Sequence, residues 1–337
     1  MAEIVLGIGC SHGPLLSLEA EQWDLRAMAD RANNAHAFRD GTYTYDQLER
    51  LRRCDYLIEQ NKIEIRKERQ ARCQTALNTL SDMLTFTKPD VVVLIGDDQH
   101  EWFGDEIQPP ITIFHGKEVL NRAFDEEEYA KKQPGIAAAA KGHLPPKDEM
   151  YKVCSKSAEQ IIAGAIEDEF DVTTSRSIPF DRNGLPIGIT HSVGFIVRRL
   201  MHDVAIPMVP ILQNTFWPPN QIKPGRCYDF GVSIGRSIRN WDSDKRVAII
   251  ASGGLSHFVI DEEWDRKMLK AFQENDVKTI RDEPNIMFRS GTSETKNWIT
   301  GVGALSETGF KMDLIDYVPC YRSEAGTGNA MGFAVWR

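Results

Sequence analysis

The sequence predicts an α/β fold, a single domain in which a mostly buried central mixed sheet is flanked by helices on both faces. Three observations carry this expectation. Four short runs rich in β-branched residues, at 4–8, 91–95, 207–212 and 246–251, lack the polar alternation of a half-exposed strand and read as strands buried on both faces. Stretches of helical period separate them, and alternation of that kind places helices on both sides of a sheet. With 337 residues, of which 42% are hydrophobic, the chain can bury a substantial core.

Taken in order, residues 4–8 form the first strand. The polar, aromatic stretch 22–54 follows, too long for an ordinary connection and expected to serve as a lid or a partner surface. Residues 61–85 combine good helix formers with apolar positions at Ile63, Ile65, Cys73, Ala76, Leu77, Leu80 and Leu84, the pattern of one long amphipathic helix. After the 91–95 strand, residues 116–150 are dense in Lys, Glu and Pro and read as an excursion over the surface. Further helices are expected at 151–165, 192–201, 228–241 and 262–273. There is no internal repeat and no linker at which to cut the chain, so residues 1–337 are read as one domain.

Composition narrows the function. A formal net charge of −9 offers no electrostatic footprint for nucleic acid or anionic lipid. No stretch approaches the ~20 apolar residues of a bilayer span. The six cysteines include no C-x-x-C pair, against both a disulfide framework and a cysteine-built zinc site. The N-terminus does not read as a signal peptide, and a cytoplasmic location is expected. A small-molecule partner fits best, with a homo-oligomer as the expected assembly.

Eight histidines can be weighed one by one. His36, His115, His143 and His202 sit in no motif and are assigned to structural or surface roles. His12 lies just past the first strand in Gly9-Cys-Ser-His-Gly-Pro14, where glycine and proline turn the chain. Ligands of open α/β sheets bind beyond the carboxyl ends of strands. His100 repeats the arrangement after the 91–95 strand, and His257 follows the 246–251 strand through Gly253 and Gly254. His191 opens a helix. The acids Asp261, Glu262, Glu263 and Asp265 begin another helix, where they favour the positive end of its dipole, although one could face inward. Two imidazoles and a carboxylate form the facial triad of non-haem Fe(II), with positions left open for substrate and O2; zinc hydrolases can use the same set.

The sequence resembles the class III extradiol ring-cleavage dioxygenases, the superfamily of the protocatechuate 4,5-dioxygenase catalytic subunit, over nearly its whole length. The resemblance rests on Ser11-His12, Asp90-Val-Val-Val-Leu-Ile-Gly-Asp-Asp-Gln-His100, Asp168-Glu-Phe-Asp171 and Asn214-Thr-Phe-Trp-Pro-Pro219. It continues through Arg226-Cys-Tyr228, Ser252-Gly-Gly-Leu-Ser-His257, Glu263-Trp-Asp265 and Gly326-Thr-Gly-Asn-Ala330. Within the superfamily, the opening nine residues and Phe38-Arg-Asp-Gly-Thr-Tyr43 are most similar to the single-chain 3-O-methylgallate and gallate enzymes.

The resemblance implies that Fe(II) assists insertion of both atoms of O2 into a catechol- or gallate-type ring, opening it beside the vicinal hydroxyls. Carried over by position, it implies iron ligands His12, His100 and Glu263, an acid/base His191, and His257 lining the pocket. The family's second ligand follows Asn-Asp, whereas His100 follows Asp98-Gln99 and precedes Glu101. Asp97, Asp98 and Glu101 therefore stand as alternatives to it, and Glu262 as an alternative to Glu263. Arg226, Lys223 and Tyr228 are available to read a ring substituent. A zinc-dependent amide or ester hydrolase on the same ligands, or a non-enzymatic binding protein on the same fold, are the competing readings.

Overall fold

The computed structural model describes residues 1–337, the side chain of Pro134 excepted. Its central sheet has nine strands among the described residues: β1 (Glu3–Cys10), β2 (Val91–Asp97), β3 (Ile111–Phe114), β4 (Thr173–Ser175), β5 (Met208–Gln213), β6 (Arg246–Ser252), β7 (His257–Val259), β8 (Met312–Tyr321) and β9 (Thr327–Trp336). The order across the sheet is β7-β9-β1-β6-β2-β5-β3-β4, with β8 along the other edge of β9. The four strands expected from the sequence, β1, β6, β2 and β5, are neighbours and mutually parallel, so their carboxyl ends share one edge. Antiparallel β3 and β9 flank them, which makes the sheet mixed.

Helices of eight residues or more are numbered α1 (Trp23–Ala32), α2 (Tyr45–Arg52), α3 (Ile63–Thr87), α4 (Ser155–Glu167), α5 (His191–Arg199), α6 (Pro224–Arg239), α7 (Glu262–Glu274) and α8 (Thr295–Leu305). Successive strand residues face opposite sides of a sheet, and β2 shows why its sequence is apolar throughout. Val91, Val93 and Ile95 join the core beneath α4, α6 and α8, whereas Val92 and Leu94 join the core beneath α3 and α5. Five expected helices are present, with ends moved by a few residues. The largest move is at 151–165: residues Glu149–Lys152 pair as a strand with Glu118–Asn121, and the helix begins only at Ser155. Val153 carries this ribbon to the main sheet by bridging to Met208. Among the described residues no helix is long and apolar enough to cross a membrane.

Residues 22–54 fold into α1, a small ribbon (His36–Phe38 with Gly41–Tyr43) and α2. They pack over β7 and the turn between β8 and β9. Arg52 donates to the carbonyls of Ile260 and Gly326, and Asp30 pairs with the buried Arg322. Residues Glu126–Ala130 and Pro134–Ala140 of the 116–150 excursion are short helices, and this excursion supplies much of one wall of the main cavity.

Candidate active site

Cys10, Asp97, Gln213 and Ser252 are the last residues of the four parallel strands. His12 lies two residues beyond β1 and is 6% exposed. Its Nδ1 is 2.9 Å from Ser252 Oγ, and that hydroxyl donates its own proton to the Ser192 carbonyl at 2.7 Å. Ser252 can therefore only accept from His12, so Nδ1 carries the hydrogen and in the neutral ring Nε2 presents a lone pair. Nε2 is buried without a hydrogen-bond partner, 3.2 Å from Glu294 Oε2 and 3.9 Å from Asp97 Oδ1.

Asp97 is fully buried at the end of β2. Its Oδ1 accepts from Asn297 Nδ2 at 3.1 Å, and its Oδ2 from Gln99 Nε2 at 3.3 Å. Burial and the Glu294 charge push its carboxyl up to about 6. Glu294 ends the single 3-10 turn Ser290–Glu294 that leads into α8; it accepts from Gly254 N–H at 2.9 Å and from Gln99 Nε2 at 2.8 Å. Burial works to raise its pKa, but while no cation stands between them the positive forms of His257 and then His12 outweigh burial and hold it well below the usual range.

His191 is the first residue of α5. Glu101 accepts both its backbone N–H, at 2.7 Å, and its ring Nδ1–H, at 2.8 Å. Burial favours the neutral ring, yet with no cation in the cluster the Glu101 charge and hydrogen bond, joined by the Asp97 and Glu294 charges, prevail and raise His191 to about 10. Its ring stands edge-on to His12, with centroids 4.7 Å apart. One ligand atom from each of His12, Asp97, His191 and Glu294 lies within 4.8 Å of the others. A bare imidazole nitrogen facing two carboxylates is electrostatically unfavourable unless a cation stands among them, so this donor set fits a bound metal.

His12 and His191, which the resemblance made a ligand and the acid/base group, lie side by side, whereas His100 and Glu263, which it made ligands, lie elsewhere. The His100 backbone takes a positive φ of 62°, and its ring stacks on Trp217 at 3.8 Å, with Nε2 accepting from Gln108 at 2.7 Å. That places it on the cavity rim and leaves Asp97, at the buried end of the strand, beside His12. The Glu263 side chain is 84% exposed and pairs with Arg39, because the first turn of α7 points it to solvent. The inward acid of that run is Asp265, which accepts from Ser256 and Tyr317. Asp98 is spent on the N–H groups of Glu101, Trp102 and Phe103.

Glu294 was not a candidate from the sequence. Its signal is an acid in an otherwise uncharged Ser/Thr-rich turn, Ser290-Gly-Thr-Ser-Glu294, just before the apolar helix α8. His257 lines the cavity as expected, donating Nδ1–H to the Leu255 carbonyl at 2.8 Å, with Nε2 3.2 Å from Glu294 Oε1.

The cluster opens into a cavity of about 770 Å³. Arg26, Arg122, Lys131 and Lys132 line it, and His143, whose pKa burial pushes down to about 3, lies beside His191. Arg226, Lys223 and Tyr228 lie elsewhere: Arg226 stacks on Phe170 and donates to the Glu169 carbonyl, Lys223 caps α6, and Tyr228 is in the core. Of residues 22–54, Arg26 alone lines the cavity among the described residues.

Comparison with known proteins agrees with this chemistry. The chain is 28% identical to the 2,3-dihydroxyphenylpropionate/2,3-dihydroxicinnamic acid 1,2-dioxygenase of Rhodococcus globerulus, over 54% of this chain and 49% of that protein. It is 25% identical to the enzyme of the same name from Comamonas testosteroni, over 50% of this chain and 43% of that protein. A gallate dioxygenase of Pseudomonas putida is 30% identical over 30% of each chain. The chain thus spans about half the length, or less, of the curated relatives it matches. The family described as the catalytic LigB subunit of aromatic ring-opening dioxygenase matches residues 61–327, a stretch that includes Asp97, His191 and Glu294. Covering most of the sequence, that match means that the chain belongs to the LigB family of aromatic ring-opening dioxygenase subunits.

Proposed function

We propose that this protein is a non-haem Fe(II)-dependent extradiol dioxygenase, inserting both atoms of O2 into a catechol- or gallate-type ring beside its vicinal hydroxyls. The observation that carries the reading is the unpartnered Nε2 of His12, held as a lone pair toward Asp97 and Glu294. His12, Asp97 and Glu294 would hold the metal; their side chains are 2%, 0% and 4% exposed. Bound there, iron would supply the redox path between a diol and O2.

The His191 side chain, 21% exposed, is the most exposed of the cluster members that line the cavity. A metal cation held by Asp97 and Glu294 would offset the charges that keep the His191 ring protonated. The neutral ring would act as the proton carrier, its Nε2 taking a phenolic proton as the substrate binds and returning it as the substrate ring opens. His257 orients Glu294 and presents its ring to the substrate. Gln99, donating to both carboxylates, keeps their remaining oxygens turned inward. The helices of the 116–150 excursion screen the centre from water.

The cationic wall selects a ring bearing a carboxylate. Arg122 and Lys131 are already paired with Glu128 and Glu127, whereas Arg26 Nε is buried without a partner. The six free cysteines fit a reducing, cytoplasmic setting.

The test is anaerobic reconstitution with Fe(II), then oxygen uptake with catechols and gallates with and without a ring carboxylate. Uptake is expected to be abolished by a chelator and by His12→Ala, which loses the metal. His191→Ala is expected to keep the metal and lose about 10²–10⁴ in kcat. Loss of the metal in His191→Ala would instead make His191 a ligand. No oxygen consumption with any diphenol, alongside ester or amide hydrolysis by the zinc-loaded protein, would overturn the dioxygenase reading.

A further inference from the structure

Glu101 belongs to none of the groups that face the substrate in the scheme above, yet it is built into the site with unusual care. It sits in the turn that follows β2, and the Asp98 carboxylate organises that turn by accepting the N–H groups of Glu101 (3.2 Å), Trp102 (2.7 Å) and Phe103 (3.3 Å). Trp102 Nε1 donates to the Gly188 carbonyl at 2.7 Å, so the turn is tied to the segment leading into α5. Glu101 is thereby fixed relative to the first residue of that helix, 90 positions away in sequence.

Both Glu101 oxygens are spent on His191. Oε1 satisfies the backbone N–H that the start of a helix leaves without a partner. Oε2 accepts from ring Nδ1–H. A cap alone would need only the first contact. The second removes both rotation about the ring and the choice of tautomer: with the hydrogen on Nδ1, the lone pair is on Nε2, the nitrogen left for the centre. The same logic operates at His12 through Ser252, but there the acceptor is a neutral hydroxyl, whereas at His191 it is a carboxylate that also stabilises a positive ring.

We infer that Glu101 is a positioning residue that fixes the orientation of the His191 ring and keeps a hydrogen on Nδ1, so that Nε2 is the nitrogen turned to the centre. In the proton transfer proposed above, the phenolic O–H bond breaks, its electron pair stays on oxygen, and the proton forms a bond to Nε2. The reverse transfer restores the neutral ring. The inference rests on the reading of His191 as proton carrier, but its structural half, the two contacts of Glu101, is independent of that reading.

Glu101→Gln tests it. An amide can offer an oxygen to only one of the two donors, and turning its NH2 toward the ring moves the imidazole hydrogen to Nε2. In protein loaded with diamagnetic Zn(II), whose charge offsets the carboxylates around the ring, and labelled at histidine with 15N, the His191 ring, assigned with His191→Ala, is expected to report the Nδ1–H form in the parent and a mixed or Nε2–H form in Glu101→Gln. In the Fe(II)-loaded enzyme, kcat is expected to fall about 10²–10⁴-fold, with KM within about threefold and metal stoichiometry unchanged. Glu101→Asp, which keeps the charge, should recover at least about tenfold of that loss.

An unchanged tautomer in both Glu101→Gln and Glu101→Ala would overturn the inference, whatever the turnover. A changed tautomer with kcat intact would overturn the assignment of His191 as proton carrier while supporting the positioning by Glu101. Coincident thermal unfolding of parent and variants separates either result from misfolding.

Discussion

Two acids on the first turn of α7 show how direction and burial, more than residue type, decide what a carboxylate does. Glu263 and Asp265 are two residues apart, and two steps of an α-helix turn a side chain by about 200°. Glu263 therefore meets solvent and Arg39, while Asp265 is fully buried and accepts from Ser256 N–H, Ser256 Oγ and Tyr317 OH. Burial pushes the Asp265 carboxyl from 3.8 up to about 7 against those three hydrogen bonds. Because the folded-state value lies above the unfolded one, the folded chain retains between pH 4 and 7 a proton that the unfolded chain has released. Asp265 thus subtracts stability as pH rises through that window, by up to about 1.4 kcal/mol per pH unit. Urea unfolding of Asp265→Asn at pH 4.5 and 6.5 is expected to show a shallower fall than the parent; equal slopes would contradict this. Glu294 illustrates the converse, a buried acid kept ionised by two histidines, and its local sequence offers little beyond an uncharged turn to mark it.

At the scale of elements, the crossing of α6 and α8 sets the position of half the His/Asp/Glu cluster. A Cβ placed on Gly231 would lie 2.1 Å from the Thr300 carbonyl oxygen and 2.8 Å from the Ala304 nitrogen. One on Gly303 would lie 2.2 Å from the Tyr228 carbonyl. These are backbone atoms and cannot rotate away. Glu294 immediately precedes α8, and Asn297 in its first turn holds Asp97, so displacing α8 displaces the site. Gly231→Ala is expected to cost about 1–3 kcal/mol of stability by overpacking and to weaken metal binding. Denaturant unfolding and metal titration check both, and an unperturbed variant would mean that the helices separate freely. Helix α8 is also an element on which the sequence was silent, as it was on the β8–β9 hairpin. The hairpin closes the sheet beside β1, yet its residues alternate weakly because β9 is buried along its whole length.

Across the whole molecule, the site exists because the parallel quartet brings residues 12, 97, 191 and 294 to one edge, and distant pairs keep the surrounding shell closed. Arg322, fully buried, forms two hydrogen bonds with Asp30 of α1, at 2.6 and 2.9 Å, and a third with Asn329 at 2.8 Å. Asp30→Ala would strand that guanidinium and is expected to cost about 3–5 kcal/mol in chemical denaturation; a loss below about 1 kcal/mol would show that Arg322 finds another partner. How far this was legible beforehand varies by residue. The strands were, because burial on both faces demands continuous apolar runs. So was the placement of His12 and His191, since a histidine at a strand end or a helix start is placed by local chain geometry. His100 was misleading, because one residue of difference after a strand, together with a positive φ, turns a side chain from the centre to the rim. Thus the sequence by itself determined the four buried strands, the edge beyond which their ends gather and the places of two histidines near it. Which carboxylates complete the cluster was decided only by tertiary structure, because a side chain's direction at a helix start or a turn depends on packing between segments some 90 to 280 residues apart.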